Sequence, residues 1–173
     1  MRKIALVNHK GGVGKTTTAV NLGEALGLLN KKVLLIDIDP QAHLTYSLGI
    51  ASHELEKTIY SLLQGIVNVE DCIIKKENVY VLPSSIDLSG ADIEFASIPG
   101  REFILKDSLK SIDPFDFVII DCPPSLGLLT LNALVFVNEI FIPLQTEFLS
   151  LQGMSKLLQA VDIVKSRLNE SLE

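Results

Sequence analysis

A glycine-rich segment between an apolar run and a helical pattern constrains the fold more than any other feature of the chain. Residues 9–17 read His-Lys-Gly-Gly-Val-Gly-Lys-Thr-Thr. Glycines let the backbone turn tightly and point its N–H groups at a phosphate, and the amino terminus of a following helix adds a favourable dipole. The segment therefore predicts a phosphate-binding loop with a strand before it and a helix after it.

Individual positions of this loop carry specific chemistry. Lys15 offers a positive charge to the phosphates, and Thr16 is placed to offer its hydroxyl to Mg²⁺. The general pattern GxxxxGK[ST] would have glycine at position 9, where this chain has His9, and an additional lysine, Lys10, stands at the mouth of the loop. Because a loop lysine is usually only solvated, Lys10 by itself leaves its role open.

Short apolar runs recur between helical patterns along the chain, at residues 3–8, 33–37, 79–83, 117–121 and 139–143. Strands that alternate with helices form a parallel sheet. Because the runs are apolar at consecutive positions, we expect helices on both faces of the sheet. The sequence predicts a three-layer α/β/α domain with a mainly parallel sheet, formed by residues 1–173 as a single domain.

Apolar residues three and four positions apart predict the helix faces that pack on this sheet. One face is formed by Leu22, Ala25, Leu26 and Leu29, and another by Met154, Leu157, Leu158 and Val161. Residues 88–96 and 102–112 are also expected to be helical, with a break at Pro99-Gly100.

Aspartates stand at the ends of two apolar runs. Asp37 and Asp39 are found at the end of the second run, and Asp121 ends the fourth. Ligands bind at the carboxyl ends of the strands in open α/β sheets, so we expect these carboxylates beside the phosphate-binding loop. Asp121 is the candidate Mg²⁺ residue, although a strand-end aspartate taken alone is more often a turn or helix-cap residue.

The charge balance and the cysteines argue against several classes of protein. With 15 Lys and Arg against 21 Asp and Glu, the net charge is −6, which argues against a free-standing basic nucleic-acid module. Cys72 and Cys122 lie far apart and form no metal-ligand cluster, as expected of free thiols in a reducing cytosol. No stretch predicts a membrane span or a signal peptide, so we expect a cytoplasmic location.

Residues 10–17, 37–41 and 121–125 together resemble the ParA/Soj family of deviant-Walker ATPases, which partition chromosomes and plasmids. The resemblance covers essentially the whole chain. It implies a P-loop NTPase domain that binds ATP and Mg²⁺ and hydrolyses ATP weakly until a partner stimulates it. The residues that it assigns to nucleotide binding are Lys10, Gly11, Gly12, Val13, Gly14, Lys15, Thr16 and Thr17, and those that it assigns to Mg²⁺ are Thr16 and Asp121.

The resemblance also implies an ATP-dependent homodimer. Lys10 would reach the nucleotide of the other subunit, and Gly11 would lie where the partner's backbone passes close. Asp39 would help to position the attacking water, and Asp37 would support the same switch region. Lys10 and Asp39 are therefore the expected catalytic residues.

The family's partners are a centromere-binding ParB-like protein and non-specific DNA, which places full-length members on the nucleoid. Family members usually continue with further strands and helices that carry the adenine-contacting loop and the DNA-binding residues. We therefore expect residues 1–173 to lack these elements and to bind DNA weakly or not at all. Ala42-His43 stand where the family commonly has Gly-Asn, whereas residues 143–148 and 151–153 look like the family's stretch after the fifth strand.

Three alternatives stay open at this point. A MinD-like division-site ATPase would bind the membrane through a C-terminal amphipathic helix, but residues 154–171 lack a strongly basic polar face. An iron–sulfur electron-transfer protein would need two cysteine ligands from each subunit, a role for which Cys72 and Cys122 lack the expected surroundings. A non-catalytic interaction module would bind ATP without turning it over.

Overall fold

The computed structural model describes residues 1–112, 114–145 and 148–173. Within these residues six strands form one sheet: β1 (Arg2–Leu6), β2 (Val33–Asp37), β3 (Ile74–Lys75), β4 (Tyr80–Leu82), β5 (Phe117–Asp121) and β6 (Glu139–Phe141). Their spatial order is β3-β4-β2-β5-β1-β6, and every neighbouring pair is parallel except β3 with β4. The predicted mainly parallel sheet is confirmed.

Helices connect the strands and cover both faces of the sheet. They are α1 (Lys15–Leu28), α2 (His43–Ser47), α3 (Ile59–Leu63), α4 (Val69–Cys72), α5 (Ala91–Glu94), α6 (Ile104–Ser108), α7 (Leu128–Phe136) and α8 (Phe148–Arg167). Short 3₁₀ segments lie at Ser52–Glu54, Ile86–Gly90, Phe95–Ser97 and Arg101–Phe103.

Alternate residues of the central strands enter two separate hydrophobic cores. Leu34 and Ile36 of β2 pack in the larger core, whereas Leu35 of the same strand packs in the smaller one. Helix α1 covers the smaller core with Ala19, and α3, α6, α7 and α8 contribute to the larger core. Because the strands are buried on both faces, they are apolar at consecutive positions, and the three layers of the predicted domain are confirmed.

The structure corrects several predicted element boundaries. β1 ends at Leu6 instead of residue 8, and β3 has no counterpart in the prediction. Residues 88–96 and 102–112 form short helical segments instead of two continuous helices. A two-residue strand such as β3 leaves too short a pattern to detect, and short helical turns carry little periodicity.

The predicted core face of α1 is correct only in part, because Leu22 and Leu26 are partly buried against the smaller core and the other two predicted residues are not. Ala25 and Leu29 are exposed, whereas Gly23 is buried. A Cβ on Gly23 would lie 2.6 Å from Cδ2 of Leu35, so α1 approaches β2 closely at a position that has no side chain. Leu158 of the predicted α8 face is also 45% exposed.

We predict that Gly27→Ala destabilises the protein by about 1–3 kcal/mol, because a Cβ at this position would collide with the backbone carbonyl of Asn78. Gly90→Ala is the matched control, since its added Cβ meets nothing within 4 Å and its φ of −86° suits any residue. The control should change the free energy of unfolding by less than about 0.5 kcal/mol. Urea denaturation measures both variants, and equal stability would contradict the close approach of α1.

Candidate active site

The carboxyl ends of β1, β2 and β5 meet at one edge of the sheet, beside an open cleft. In the register of the sheet, Asp121 lies opposite both Leu6 of β1 and Asp37 of β2. The cleft has a volume of about 700 Å³, which is typical of small-molecule sites. Its lining consists of Gly11, Gly12, Gly14, Lys15, Thr16, Thr17, Asp39, Gln41, His43, Tyr46, Ser47 and Pro124.

The glycine-rich loop leads directly into α1, as the sequence predicts. Gly12 and Gly14 have φ values of 73° and 95°, in the left-handed region that favours glycine. Gly11 lies outside that region, and a Cβ on it would meet nothing within 4 Å. Because α1 begins at Lys15, the unpaired N–H groups of its first turn are next to the loop and available to an anion.

Lys15 is buried beneath the loop. It is 6% exposed, and its Nζ donates a hydrogen bond to the backbone carbonyl of Lys10 at 3.3 Å. A cation held in this way beside backbone N–H groups suits a phosphate. Val13 is buried, and Lys10 is half-buried; neither belongs to the lining of the cleft.

Thr16 and Asp121 form a polar pair beside the loop. Thr16 Oγ1 donates a hydrogen bond to Asp121 Oδ2 at 2.6 Å. The other carboxylate oxygen, Oδ1, is buried without a hydrogen-bond partner among the described residues. Burial raises the pKa of Asp121 to about 7, although the bond from Thr16 lowers it. A buried carboxylate oxygen without a partner, next to a hydroxyl, fits a hard cation such as Mg²⁺.

The two aspartates at the end of β2 take different places. Asp39 lines the cleft, and its Oδ1 accepts a hydrogen bond from the backbone N–H of Gln41 at 2.9 Å. Asp37 is fully buried and lies outside the cleft lining. It accepts hydrogen bonds from the backbone N–H of Asp39 and from Thr45, yet burial raises its pKa to about 6. Asp39 is therefore in reach of a ligand, whereas Asp37 acts within the fold.

Asn8 anchors the start of the loop, a contribution that no sequence motif predicts. It is 4% exposed, and its Oδ1 accepts a hydrogen bond from the backbone N–H of Lys10 at 3.0 Å. Its Nδ2 donates to the carbonyl of Pro143, which follows β6, at 2.8 Å. A polar residue at the end of the apolar run 3–8 was the available signal.

Part of the family-like stretch after β6 lies against the loop. Gln145 Nε2 donates a hydrogen bond to the carbonyl of Gly12 at 3.1 Å. Thr146 and Glu147, and the side chains of residues 148–153, lie outside the described part of the chain. Gln145 therefore supports the loop from the side of β6.

The exposed face of α2 forms a wall of the cleft that the sequence motifs do not predict. His43, Tyr46 and Ser47 lie on this face at helical spacing. Ala42, directly before α2, has a φ of 52°, a left-handed conformation that glycine adopts without strain. Ala42-His43, which replace the Gly-Asn that is common in the family, therefore lie where the turn enters α2. The turn forms in spite of this replacement.

The surroundings of the two cysteines do not suit a metal site. Cys72 and Cys122 are both buried, and burial raises the pKa of Cys72 to about 11 and that of Cys122 well above its ordinary value. Among residues 1–112, 114–145 and 148–173, no group of three His, Cys, Asp or Glu side chains could hold a metal ion. Buried, protonated thiols do not fit an iron–sulfur cluster shared between subunits.

Comparison with known proteins agrees with this geometry. The model of the AAA_31 family, described as an AAA domain, matches residues 1–173. The chromosome-partitioning ATPase Soj of Treponema pallidum is 47% identical over 99% of this chain and 68% of the relative. The sporulation initiation inhibitor protein Soj of Bacillus subtilis is 48% identical over 98% of this chain and 68% of the relative. The chain belongs to the ParA/Soj group of the AAA_31 family.

Solved structures of similar proteins share the fold of this ParA/Soj chain. A Mycobacterium smegmatis protein named cobyrinic acid a,c-diamide synthase, with bound ADP and magnesium, is 41% identical with a TM-score of 0.96, over 99% of this chain and 71% of that one. A Cyanothece McdA variant, solved as an ATP complex, is 30% identical with a TM-score of 0.89. This similarity covers 96% of this chain and 65% of the McdA chain. The chain thus spans about two thirds of the length of these proteins. No helix in the described part of the chain is both long and apolar enough to cross a membrane.

In metal-free buffer, the stability of Asp121→Asn relative to the wild type should increase with pH. Folding raises the pKa of Asp121 from 3.8 to about 7, so its contribution to stability is present below pH 4 and is lost as the pH rises through 7. The amide that Asp121→Asn introduces cannot ionise, so the variant does not undergo this loss of stability as the pH rises. The difference in Tm between variant and wild type, measured in EDTA, should be larger at pH 8 than at pH 5.

The control for this measurement is Asp107→Asn, because Asp107 has a 58% exposed side chain that faces Lys110 on the surface. Its Tm difference from the wild type should be nearly the same at both pH values. A pH-independent difference for Asp121→Asn would contradict the buried, ionisable site.

Proposed function

We propose that this chain is the ATP-binding and ATP-hydrolysing part of a partition ATPase of the ParA/Soj type. The observation that carries the proposal is the hydrogen bond from Thr16 Oγ1 to Asp121 Oδ2, 2.6 Å long, beside the glycine-rich loop. The other oxygen of Asp121, Oδ1, has no hydrogen-bond partner among the described residues. A phosphate-binding loop with such a pair is suited to a nucleoside triphosphate and Mg²⁺. Related structures with ADP, with an ATP analogue and with ATP support ATP as the nucleotide.

The lining of the cleft, together with Asp121 buried beside it, supplies the parts that phosphoryl transfer needs. The loop N–H groups, Lys15 and the first turn of α1 would hold the phosphates. Thr16 and Asp121 would hold Mg²⁺, which when bound would offset negative charge on the phosphates. Asp39 accepts a hydrogen bond from the attacking water and orients it. The water oxygen bonds to the γ-phosphorus as the bond to the β–γ bridging oxygen breaks, which gives ADP and phosphate.

Two features of the loop support a site completed by a second copy of the chain. Gly11 has neither a left-handed backbone nor a neighbour within 4 Å of a Cβ, so nothing within the described chain requires glycine there. A close approach from outside the chain would require it. Lys10 stands beside it at the mouth of the loop, outside the lining of its own cleft. We therefore propose that Lys10 acts on the nucleotide of the partner subunit.

Asp39→Ala and Lys10→Ala should separate chemistry from assembly. Asp39→Ala should trap an ATP-bound dimer that turns over slowly, because the attacking water loses its acceptor. Lys10→Ala should lose partner-stimulated hydrolysis, because charge on the phosphates is incompletely neutralised, while its own ATP binding is largely retained. Sedimentation with ATP measures assembly, and phosphate release measures turnover.

The same experiment tests the non-catalytic alternative. Wild-type protein that binds ATP but releases no phosphate, with or without a ParB-like partner, would support an interaction module. Identical behaviour of the two variants in sedimentation and in turnover would contradict a dimer completed by Lys10.

A second candidate function follows from the 41% identity to the protein named cobyrinic acid a,c-diamide synthase. We favour partitioning, because partition relatives are 43–48% identical over nearly the whole chain. A MinD-like role at the membrane has less support, since residues 154–173 carry three basic residues (Lys156, Lys165 and Arg167) against three acidic ones (Asp162, Glu170 and Glu173). This segment therefore lacks the strongly basic face that binds anionic lipid. ATP turnover that depends on added cobyrinic acid would favour the second candidate.

Residues 1–173 should bind duplex DNA weakly or not at all, with or without ATP. The adjacent basic pairs in the sequence, such as Arg2-Lys3, lie in or beside β1, β2 and β3, and Arg2 donates a hydrogen bond to Glu139. DNA binding needs several cations that displace counterions together, and the net charge here is −6. A mobility-shift titration at low salt measures the affinity. ATP-dependent retention that weakens steeply with salt would contradict this prediction.

A further inference from the structure

The carboxylate of Asp37 joins two segments of the site from inside the fold. Its Oδ1 accepts a hydrogen bond from the backbone N–H of Asp39 at 3.1 Å. Its Oδ2 accepts two from Thr45 of α2, from the backbone N–H at 2.9 Å and from Oγ1 at 2.7 Å. One oxygen therefore holds the residue that faces the cleft, and the other holds the helix that forms the cleft wall.

Thr45 extends this network to a third segment. It is 0% exposed, and its Oγ1 donates its single proton to Asp37 while accepting a hydrogen bond from the backbone N–H of Ser84 at 3.1 Å. Ser84 follows β4, and its carbonyl accepts a hydrogen bond from Ser52 Oγ at 2.6 Å. The hydroxyl of Thr45 is thus the point where the end of β2, α2 and the chain after β4 are fixed relative to one another.

The segment between Asp37 and α2 depends on such anchors. Residues 39–42 form a turn in which the backbone N–H of Ala42 donates to the carbonyl of Asp39 at 2.9 Å. Ala42 has a left-handed backbone, which is strained for a residue with a Cβ. Helix α2 has five residues and is too short to be stable without tertiary contacts. Contacts from the fold must therefore hold both ends of the turn.

We infer that Thr45 is a positioning residue for ATP hydrolysis, whose hydroxyl fixes the Asp37 carboxylate and through it the place of Asp39 in the cleft. The inference rests on the proposed role of Asp39 in orienting the attacking water. Neither Thr45 nor Asp37 lines the cleft, so a change at Thr45 should alter the rate of the chemical step more than nucleotide affinity.

The test uses Thr45→Val and Thr45→Ser. Valine keeps the shape of the side chain but removes both hydrogen bonds of Oγ1, whereas serine retains the hydroxyl. Thr45→Val should lower the single-turnover rate of ATP hydrolysis about tenfold and change the Kd for ATP less than about threefold. Thr45→Ser should restore the rate to within about twofold of the wild type.

Thr58→Val is the matched control for a purely structural effect. Thr58 is also buried, and its side chain caps α3 and lies near Ser85 instead of Asp37. It should lower Tm without lowering the hydrolysis rate. If Thr45→Val does not fold, Thr45→Cys replaces it, because a thiol is a weaker donor and should give an intermediate rate.

The outcomes separate this inference from the proposed function. Asp39→Ala is measured in the same single-turnover assay, and an unchanged rate in that variant would overturn the proposed role of Asp39 itself. If Asp39→Ala slows hydrolysis and Thr45→Val does not, the positioning role of Thr45 is wrong. Equal slowing by Thr58→Val, or failure of serine to rescue, would also overturn it.

Discussion

Burial of carboxylates at the carboxyl edge of the sheet is the constraint on which the rest of the site depends. Asp37 and Asp121 are 0% and 1% exposed and lie opposite each other on neighbouring strands. Loss of water disfavours the charged form of both groups, which is why their pKa values rise to about 6 and about 7. Such groups remain charged only where donors or cations surround them.

The two carboxylates meet this constraint in different ways. Asp37 receives hydrogen bonds from Asp39 and Thr45, so its partners come from the chain itself and it belongs to the scaffold. Asp121 receives one bond from Thr16 and keeps a second oxygen without a partner among the described residues. A cation that binds this oxygen would offset the cost of burying it, so binding and stability are coupled at Asp121.

The local parts of the site are predictable from the sequence, and the non-local parts are not. The loop at residues 9–17 can be predicted because its phosphate-binding chemistry depends on residues that are neighbours in sequence. The strand-end aspartates can be predicted because parallel strands end at the same edge of the sheet. The bond from Asn8 to Pro143 joins residues 135 positions apart, and no periodicity encodes such a pair. The face of α1 was predicted only in part: Leu22 and Leu26 pack as expected, but hydrophobic spacing finds large side chains and misses Gly23, whose packing depends on the distance between helix and strand.

Ala42 shows how the turn before α2 forms in spite of a departure from the family pattern. Its left-handed backbone, with φ 52° and ψ 32°, costs a residue with a Cβ about 1–2 kcal/mol. Glycine avoids this cost but has about 0.5–1 kcal/mol more unfolded-chain entropy to lose. Burial of the alanine methyl group, in a residue 2% exposed, contributes about 0.8 kcal/mol. The backbone strain of alanine is thus offset by its lower unfolded-chain entropy and by the burial of its methyl group. Alanine can therefore replace glycine while the hydrogen bonds around Asp39 keep the turn in place.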